Sequence, residues 1–292
     1  MEKFKVGILG ATGMVGQRFA TLLAEHPWFE VACLAASPRS SGLTYEEAVG
    51  DRWKLEEPMP EKLKKMVVKD VSKVEDVVQG LDFVFSAVDM KKEEIKAIEE
   101  AYAKAEVPVV SNNSAHRWTE DVPMVVPEIN PEHYQLIEKQ RKRLGTKRGF
   151  IAVKPNCSIQ SYAPALAAWA EYEPYECVIS TYQAISGAGK NFETWPEMVG
   201  NIIPYIGGEE EKSEKEPLRV LGTYTEDGIK LKEGLVLSAQ CIRVPVLNGH
   251  TATVSIRFRK KVTKDELISA LRNYKGLPQE KNLPSAPKHF IQ

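Results

Sequence analysis

Short apolar runs alternate with helical patterns through the first half of the chain. Each run is nearly continuous, which is typical of a strand buried on both faces of a sheet. Strands that alternate with helices indicate a parallel sheet covered by helices on both sides. We therefore predict an α/β domain with a Rossmann-like doubly wound parallel sheet over residues 1–155, with strands near 4–9, 31–36, 66–69, 81–87, 108–111 and 149–153. Residues 91–105 are predicted to form an amphipathic helix.

The pattern changes in the second half, where apolar and polar residues alternate. Residues 176–185, 236–246 and 251–260 all show this period of two. Such alternation is typical of antiparallel strands with one face solvated or covered by another domain. We predict a second, α+β domain with a largely antiparallel sheet over residues 156–292. A chain of 292 residues is long enough for two domains.

A glycine-rich turn, GATGMVG at residues 10–16, joins the first strand to a helical pattern. In this context Gly10 permits the tight turn, Gly13 lets a pyrophosphate approach the backbone, and Gly16 lets the helix pack closely on the strand. The helix N-terminal amides then bind the diphosphate. The spacing is GxxGxxG rather than GxGxxG, so ordinary turn-forming glycines are the alternative. The side chains predicted to face inward from the helix are Val15, Phe19, Leu22 and Leu23.

The second strand is followed by a loop with a guanidinium and several hydroxyls. The loop reads SPRSSG at residues 37–42 and contains Arg39 but no acidic residue. An NAD-specific fold places an acidic side chain near this position to bind the ribose hydroxyls, whereas an arginine suits a 2′-phosphate. We therefore predict NADP as the cofactor. The alternative is a polar surface loop without a ligand.

A cysteine lies at a predicted junction between a strand and a helix. Cys157 is the centre of KPNCSIQ (residues 154–160), between the apolar run 149–153 and a helical pattern over 158–171. The positive end of a helix and its unpaired N–H groups favour a thiolate over a thiol. Cys157 is thus a candidate nucleophile, with a buried cysteine of no chemical role as the alternative.

Four further polar features lie next to predicted strands, three of them in the second half and one after the strand at 108–111. Arg243 lies inside an apolar strand and needs an anion, and His250 follows a turn signal at residues 248–249 and can titrate near neutrality. The glycine-rich stretch 186–190 can approach a ligand closely. The charge run 209–216 is interpreted by default as a solvated helical face. The polar loop 111–117 contains one cation, Arg117, and is weak evidence for an oxyanion site.

Composition narrows the classes of function. Lys and Arg total 39 against 40 Asp and Glu, which argues against a general polyanion binder. The four cysteines show no CxxC pair and no metal-ligand spacing, so we expect free thiols, a cytoplasmic setting and no metal. The chain has no apolar run of about 18 residues and enters its first strand at once, so we expect neither a membrane span nor a signal peptide.

Taken together, these motifs resemble the aspartate-semialdehyde dehydrogenases, specifically their archaeal and fungal branch. The similar elements occur in the family's order across nearly the whole chain: residues 10–16, 37–40, 111–117, 155–158, 183 with 186–189, and 243–250. The resemblance implies NADP-dependent reductive dephosphorylation of β-aspartyl phosphate to aspartate semialdehyde, in the biosynthesis of lysine, threonine and methionine. It also implies a homodimer or homotetramer, a small-molecule substrate, and no nucleic-acid or membrane partner.

The resemblance also assigns roles to individual residues. Cys157 would carry the acyl group, Gln183 would orient the substrate, and His250 would be the general acid/base. Arg243 would bind the substrate α-carboxylate through a bidentate contact. The rest of the substrate and phosphate site would comprise Asn112, Arg117, Asn156, Glu209 and Lys212. The NADP-binding residues would be Gly10, Thr12, Gly13, Met14, Val15, Ser37, Arg39, Ser40, Ser86, Ser186 and Gly187.

Two alternatives stay open at this point. A malonyl-CoA-type acyl reductase would use the same scaffold, although Asn156 and the sequence around Arg243 favour the aspartyl substrate. The second alternative is an inactive, truncated NADP-binding protein. It stays open because members of the family continue past the position of Gln292. That difference implies either a shortened form or a truncated sequence, with the family's C-terminal segment missing.

Overall fold

The computed structural model describes residues 2–292, which divide into two compact units. The first unit comprises the residues up to Met124 together with Tyr134–Lys154. The second comprises Val125–His133 and Pro155–Gln292, so a short segment inside the first stretch of sequence belongs to the second unit. None of the helices in the described chain is long and apolar enough to cross a membrane.

The first unit contains the predicted parallel sheet. Its six strands are ordered β3-β2-β1-β4-β5-β6 and every pair is parallel, which is the order of dinucleotide-binding folds. The strand predicted at 66–69 joins the sheet only from Lys69, because Met66 and Val68 form backbone hydrogen bonds with residues 42–45 instead. The strands are β1 (Phe4–Leu9), β2 (Phe29–Ala36), β3 (Lys69–Asp70), β4 (Phe83–Ser86), β5 (Val109–Ser111) and β6 (Ile151–Val153).

Helices flank this sheet, and the glycine-rich turn sets the position of the first one. Gly10 has a φ of +80°, and a Cβ built there would lie 2.3 Å from the Ala87 carbonyl oxygen. A Cβ on Gly16 would lie 2.2 Å from the Gly10 oxygen, so helix and turn meet at backbone contact. The helices are α1 (Met14–Leu23), α2 (Tyr45–Val49), α3 (Glu61–Lys64), α4 (Val74–Val77), α5 (Lys92–Lys104) and α6 (Leu136–Leu144).

The inward face of α1 differs from the sequence prediction. Leu23 is buried as expected and Phe19 packs against the core, but Val15 and Leu22 are exposed. Gln17 is buried instead, because its side-chain amide donates to the Thr12 and Arg52 carbonyl oxygens at 3.0 and 2.9 Å. A polar residue that satisfies buried backbone groups cannot be recognised from an apolar pattern.

The second unit is built on a three-stranded mixed sheet with the order β10-β7-β11. The β10 strand runs parallel to β7, and β11 runs antiparallel to it. The turn signal before His250 therefore does not produce a hairpin, because β7 lies between the strands that the turn connects. The strands are β7 (Pro174–Gln183), β8 (Thr223–Thr225), β9 (Gly228–Lys230), β10 (Val236–Arg243) and β11 (His250–Phe258).

The two faces of this sheet differ in burial. On one face of β7, Cys177, Ile179, Thr181 and Gln183 are all buried, as are the β10 residues beside them. The opposite face leaves apolar side chains exposed, among them Val178 at 47% and Val236 at 67%. The sheet is thus covered on one side only within this chain.

The helix predicted after Cys157 is broken into three pieces. A 3₁₀ turn covers Ser158–Ser161, the α-helix covers Ala163–Ala168, and a second 3₁₀ turn covers Ala170–Tyr172. Pro164 explains why the α-helix begins only at Ala163, since in the first turn of a helix the missing N–H of proline removes no hydrogen bond. The helices of this unit are α7 (Ala163–Ala168), α8 (Glu209–Val220), α9 (Lys264–Asn273) and α10 (Leu277–Glu280).

Candidate active site

The second unit brings the candidate nucleophile against a histidine. The Sγ atom of Cys157 lies 3.3 Å from Nε2 of His250, although the two residues are 93 positions apart in the sequence. Cys157 is exposed, whereas the cysteines at 33, 177 and 241 are buried. A reactive thiol needs both access and a proton partner, and Cys157 has both.

Three of the predicted site residues form one row across the three-stranded sheet. Gln183, at the end of β7, pairs in register with Arg243 at the end of β10 and with His250 at the start of β11. Residues directly opposite each other on neighbouring strands project from the same face of a sheet. The register therefore places an amide, a guanidinium and an imidazole side by side, on the buried face.

The surroundings of His250 favour a proton between its ring and the sulfur. The backbone N–H of Ala184 donates to Nδ1 at 3.1 Å, so in the neutral ring the proton resides on Nε2, which faces Cys157. The hydrogen bond to Cys157 is the main cause that raises the pKa of His250 above its usual value. Partial burial and the charge of Arg243 oppose this rise without cancelling it.

Arg243 is a buried cation with a fixed main chain. Its Nη1 donates to the Ala184 carbonyl oxygen at 2.7 Å, and its backbone exchanges two hydrogen bonds with Ile203. Burial lowers the pKa of Arg243, while the nearby charge of Glu209 acts in the opposite direction. A guanidinium stays protonated under such conditions, so it presents a charge in a place with little water.

The glycine-rich stretch after β7 approaches these side chains closely. Residues Ile185–Ala188 form a 3₁₀ turn that contains Ser186 and Gly187. A Cβ built on Gly187 would lie 3.0 Å from Cε1 of His250 and 3.1 Å from Nη1 of Arg243. Gly187 thus lets the chain pass over the two side chains without displacing them.

The charge run of the second half forms α8, and part of it contributes to the site. The default interpretation of a solvated face holds for Glu211 and Lys215, which are exposed and paired with each other. It is wrong for Glu209, whose carboxylate accepts from Lys212 Nζ at 2.7 Å and from Asn156 Nδ2 at 3.0 Å. A helical period places only some charges of a run toward solvent.

Burial raises the pKa of Glu209, but several donors outweigh it. The hydrogen bonds from Lys212 and Asn156 lower this pKa, with smaller contributions from the charge of Lys212 and a hydrogen bond with Gln183. The net pKa lies below the usual range of a glutamate, so the carboxylate is ionised at neutral pH. Glu209 therefore connects the loop before the cysteine, the central strand and the lysine.

Asn156 is buried, and its side chain shapes the turn around the nucleophile. Its Oδ1 accepts from the backbone N–H of Ser158 at 2.8 Å and from the Ser158 hydroxyl at 3.1 Å. Its own backbone N–H donates to Oε2 of Glu216 at 2.5 Å. The bonds on either side of Cys157 hold the conformation of the main chain at that residue.

The other predicted substrate residues lie in the first unit. Arg117 is 7% exposed, and its Nε donates to the Lys154 carbonyl oxygen at 3.0 Å. Its Nη2 donates to the carbonyl oxygen of Asn112 at 3.4 Å, so these two predicted residues are neighbours. Both follow β5, at the carboxyl edge of the parallel sheet, where ligands of such sheets bind.

Most of the predicted cofactor residues of the first unit lie in two places, at the start of α1 and in the loop after β2. Gly13 is exposed at the start of α1, whose first turn contains no acidic side chain and whose N-cap has no side-chain hydrogen bond. Arg39 and Ser37 are exposed after β2, and no residue of the described chain forms an ion pair with Arg39. Thr12 and Met14 are half-buried and Val15 is exposed, whereas Ser40 is buried.

Ser86 lies deeper than a ligand contact would suggest. It is fully buried, and its hydroxyl donates to Oε1 of Glu99 at 2.7 Å. The same oxygen accepts from the Ser111 hydroxyl at 2.6 Å and from Asn113 Nδ2 at 2.9 Å. Glu99 thus holds the carboxyl ends of β4 and β5 together.

Sequence reasoning missed two buried carboxylates, Glu99 and Glu216. Both belong to helices that the sequence marks as charged, and both are at most 1% exposed. For Glu216 a signal existed, because it lies seven residues after Glu209 and three after Ser213 and so shares their helical face. Glu99 carries no comparable signal, since its partners come from distant strands.

Comparisons with known proteins agree with this architecture. Residues 5–137 match the family model described as semialdehyde dehydrogenase, NAD binding domain, and residues 164–289 match semialdehyde dehydrogenase, dimerisation domain. An aspartate-semialdehyde dehydrogenase from Aspergillus fumigatus is 41% identical over 99% of this chain and 80% of its own length. One from Methanothermobacter thermautotrophicus is 43% identical over 97% of this chain and 79% of its own length.

A solved structure shows the same fold. The crystal structure of aspartate semialdehyde dehydrogenase with NADP from Candida albicans superposes with a TM-score of 0.87 at 36% identity, covering 99% of this chain and 81% of that one. These matches cover nearly the whole chain, so both units share the similarity. The chain belongs to the aspartate-semialdehyde dehydrogenase family.

Proposed function

We propose that this protein is an NADP-dependent oxidoreductase that interconverts β-aspartyl phosphate and aspartate semialdehyde through a thioester on Cys157. The observation that carries the proposal is the Cys157–His250 pair at 3.3 Å, beside the row of Gln183 and Arg243. The matching relatives are named aspartate-semialdehyde dehydrogenases, which supports aspartate semialdehyde as the substrate. The product would serve the biosynthesis of lysine, threonine and methionine.

In the reductive direction, Cys157 acts as the nucleophile. Its Sγ, as a thiolate, attacks the carbonyl carbon of the acyl phosphate, a C–S bond forms, and the C–O bond to phosphate breaks so that phosphate leaves with the electron pair of that bond. NADPH, when bound, supplies the hydride that reduces the thioester to the aldehyde level. The C–S bond then breaks, the aldehyde leaves, and the sulfur keeps the electron pair as a thiolate, to which Nε2–H of His250 can donate.

The charged residues would bind the two anionic ends of the substrate. Arg243 has N–H groups beyond the one given to Ala184, and these suit the α-carboxylate through a fork of two hydrogen bonds. Gln183 would orient the reacting carbonyl, and Glu209 would hold Lys212 in place for the phosphate. In the first unit, Arg117 with Asn112 beside it is a further proposed cation for binding phosphate, and in the second Asn156 maintains the turn at the nucleophile.

The residues of the first unit fit a dinucleotide phosphate. Gly10 and Gly16 build a turn in which any Cβ would collide with backbone, and Gly13 leaves the start of α1 open. Helix N-terminal amides there suit the diphosphate, with Thr12, Met14 and Val15 around them. Arg39, with Ser37 and Ser40, suits the 2′-phosphate. Ser186 and Gly187 complete the proposed set, and the buried Ser86 contributes to it by holding the end of β4 through its bond to Glu99.

We also propose that residues 156–292 form the catalytic and dimerisation domain after an NADP-binding domain at 1–155, and that the protein is a homo-oligomer, at least a dimer. The open face of the three-stranded sheet supports the interface, because Val178 and Val236 are exposed on it. Exposed apolar side chains that are neighbours on one surface mark sites of interaction with a partner. The matching dimerisation model covers these strands.

Replacing the nucleophile tests the proposed chemistry. Phosphate-dependent reduction of NADP with aspartate semialdehyde is expected in the wild-type protein, and Cys157→Ala should lower kcat by about a thousandfold or more, since a nucleophile has no substitute. Cys33→Ala, which alters a buried cysteine of β2, is the control and should keep its activity. Substantial turnover by Cys157→Ala would contradict the thioester.

The pairing of Cys157 with His250 predicts a titration shift. The His250 pKa should lie above the ordinary value of about 6.5, because the bond to the sulfur favours the protonated ring. In Cys157→Ala this bond is absent, and the pKa should fall. NMR titration of the ring proton on Cε1 measures both values, with the signal assigned by its loss in His250→Asn. Equal midpoints in the two proteins would argue against the pairing.

Cofactor choice depends on Arg39 in this proposal. Arg39→Ala should reduce the preference for NADP over NAD by about tenfold to a hundredfold, the loss expected for a charged contact to phosphate. The measurement is the ratio of kcat/KM for the two cofactors. Arg18→Ala removes an exposed guanidinium from α1 and should leave the ratio unchanged. An unchanged ratio in Arg39→Ala would remove the proposed role of the loop.

The proposed interface has its own test. Val236→Asp places a charge on the open sheet face, and burying an unpaired charge costs several kcal/mol, so the oligomer should dissociate toward monomer. Sedimentation velocity at several concentrations measures the shift. Leu22→Asp, at an exposed position of α1, is the matched control and should sediment like the wild type. Identical sedimentation of both variants would place the interface elsewhere.

A further inference from the structure

A buried carboxylate lies directly behind the cysteine turn. Glu216, on α8, is 1% exposed, and its Oε2 accepts the backbone N–H of Asn156 at 2.5 Å. Asn156 immediately precedes Cys157, and its side chain closes the turn to Ser158. The hydrogen bond that Asn156 donates to Glu216 therefore fixes the main chain at the residue from which the nucleophile's turn begins.

Burying a carboxylate is costly unless its hydrogen bonds repay the loss of water. At this position an apolar side chain would fill the same volume, so the carboxylate indicates a specific requirement. Asn156 is held twice by one helix, at its backbone by Glu216 and at its side chain by Glu209 two turns earlier. The helix thereby controls both the position and the orientation of that residue.

The same helix is anchored to the strand that carries Arg243. Glu210 accepts the backbone N–H of Cys241 at 3.3 Å, and Glu214 accepts that of Ala239 at 3.0 Å. These two bonds satisfy N–H groups on the edge of β10 and attach α8 to it. Glu216 thus connects the turn that contains the nucleophile to a helix whose position is set by hydrogen bonds with the strand of Arg243.

We propose that Glu216 is a positioning residue that sets the distance between Cys157 and His250. It acts through the main chain of Asn156 and touches neither substrate nor cofactor. Its effect on turnover rests on the proposed function, but its effect on the thiol does not. A thiol displaced from its imidazole partner reacts more slowly, because less of it is thiolate at neutral pH.

Four variants separate positioning from simple stability. Glu216→Ala removes the acceptor, and Glu216→Gln retains a carbonyl oxygen that can accept the same N–H. Glu214→Ala is the matched control, since it removes a carboxylate of the same helix that bonds to β10 and not to the turn. Glu216→Asp shortens the side chain by one methylene and so moves the carboxylate away from the turn. It is used in place of Glu216→Ala if the alanine variant does not fold. Each variant is characterised by the rate of iodoacetamide reaction with Cys157 at pH 7, by kcat and KM, and by urea unfolding.

The expected pattern differs between the positions. Glu216→Ala should slow alkylation and lower kcat by about tenfold to a hundredfold, the effect of a displacement of about 1 Å, with KM for NADP changed by less than about twofold. Glu216→Gln should stay within about threefold of the wild type, because the acceptor remains. Glu214→Ala should lose stability but keep its alkylation rate and kcat within about twofold, since Glu210 still attaches α8 to β10 and the bond of Glu214 does not involve the turn.

Two results would overturn the proposal. One is a Glu216→Ala protein (or Glu216→Asp in its place) that loses stability while its alkylation rate stays like that of Glu214→Ala. The other is a Glu216→Gln protein as slow as Glu216→Ala, since the charge rather than the accepted hydrogen bond would then matter. A wild-type protein without semialdehyde activity would contradict the proposed function alone, because the alkylation comparison would still decide the role of Glu216.

Discussion

The register of β7 against its two neighbours is the constraint on which the site depends. Because Gln183 pairs with Arg243 on one side and His250 on the other, three side chains of different chemistry share a row and a face. A slip of one residue in either pairing would turn one of them to the opposite face. The buried face of the strands, which includes Cys177 and Ile179, opposes such a slip, so packing fixes the chemistry.

The α8 helix supplies the second constraint, and it does so with acidic side chains. Its carboxylates accept N–H groups from an open sheet edge and from the turn before the nucleophile. The sheet edge is thereby satisfied without another strand, and the cysteine is held without a long helix behind it. Since α7 is short and begins after Cys157, hydrogen bonds rather than a helix dipole position the thiol.

Prediction from the sequence succeeded where one local rule decides the structure. The parallel sheet follows from apolar runs, and the turn at Gly10 follows from glycines at positions where a Cβ would collide with the backbone. It failed where a polar side chain takes an interior position. Gln17 displaces Val15 and Leu22 from the buried face of α1 because it satisfies backbone carbonyls, and Pro164 interrupts a helix that the apolar pattern favours.

By itself the sequence determined the residue types of the site and the family resemblance, since motifs such as PNCS and the segment around Arg243 are local. The tertiary structure decided which of them meet. Cys157 and His250 are 93 residues apart, and their contact at 3.3 Å follows from strand order rather than from spacing. It also decided that Glu216 is buried behind the cysteine while Glu211 faces solvent, because the packing of α8 on β10 selects one side of the helix.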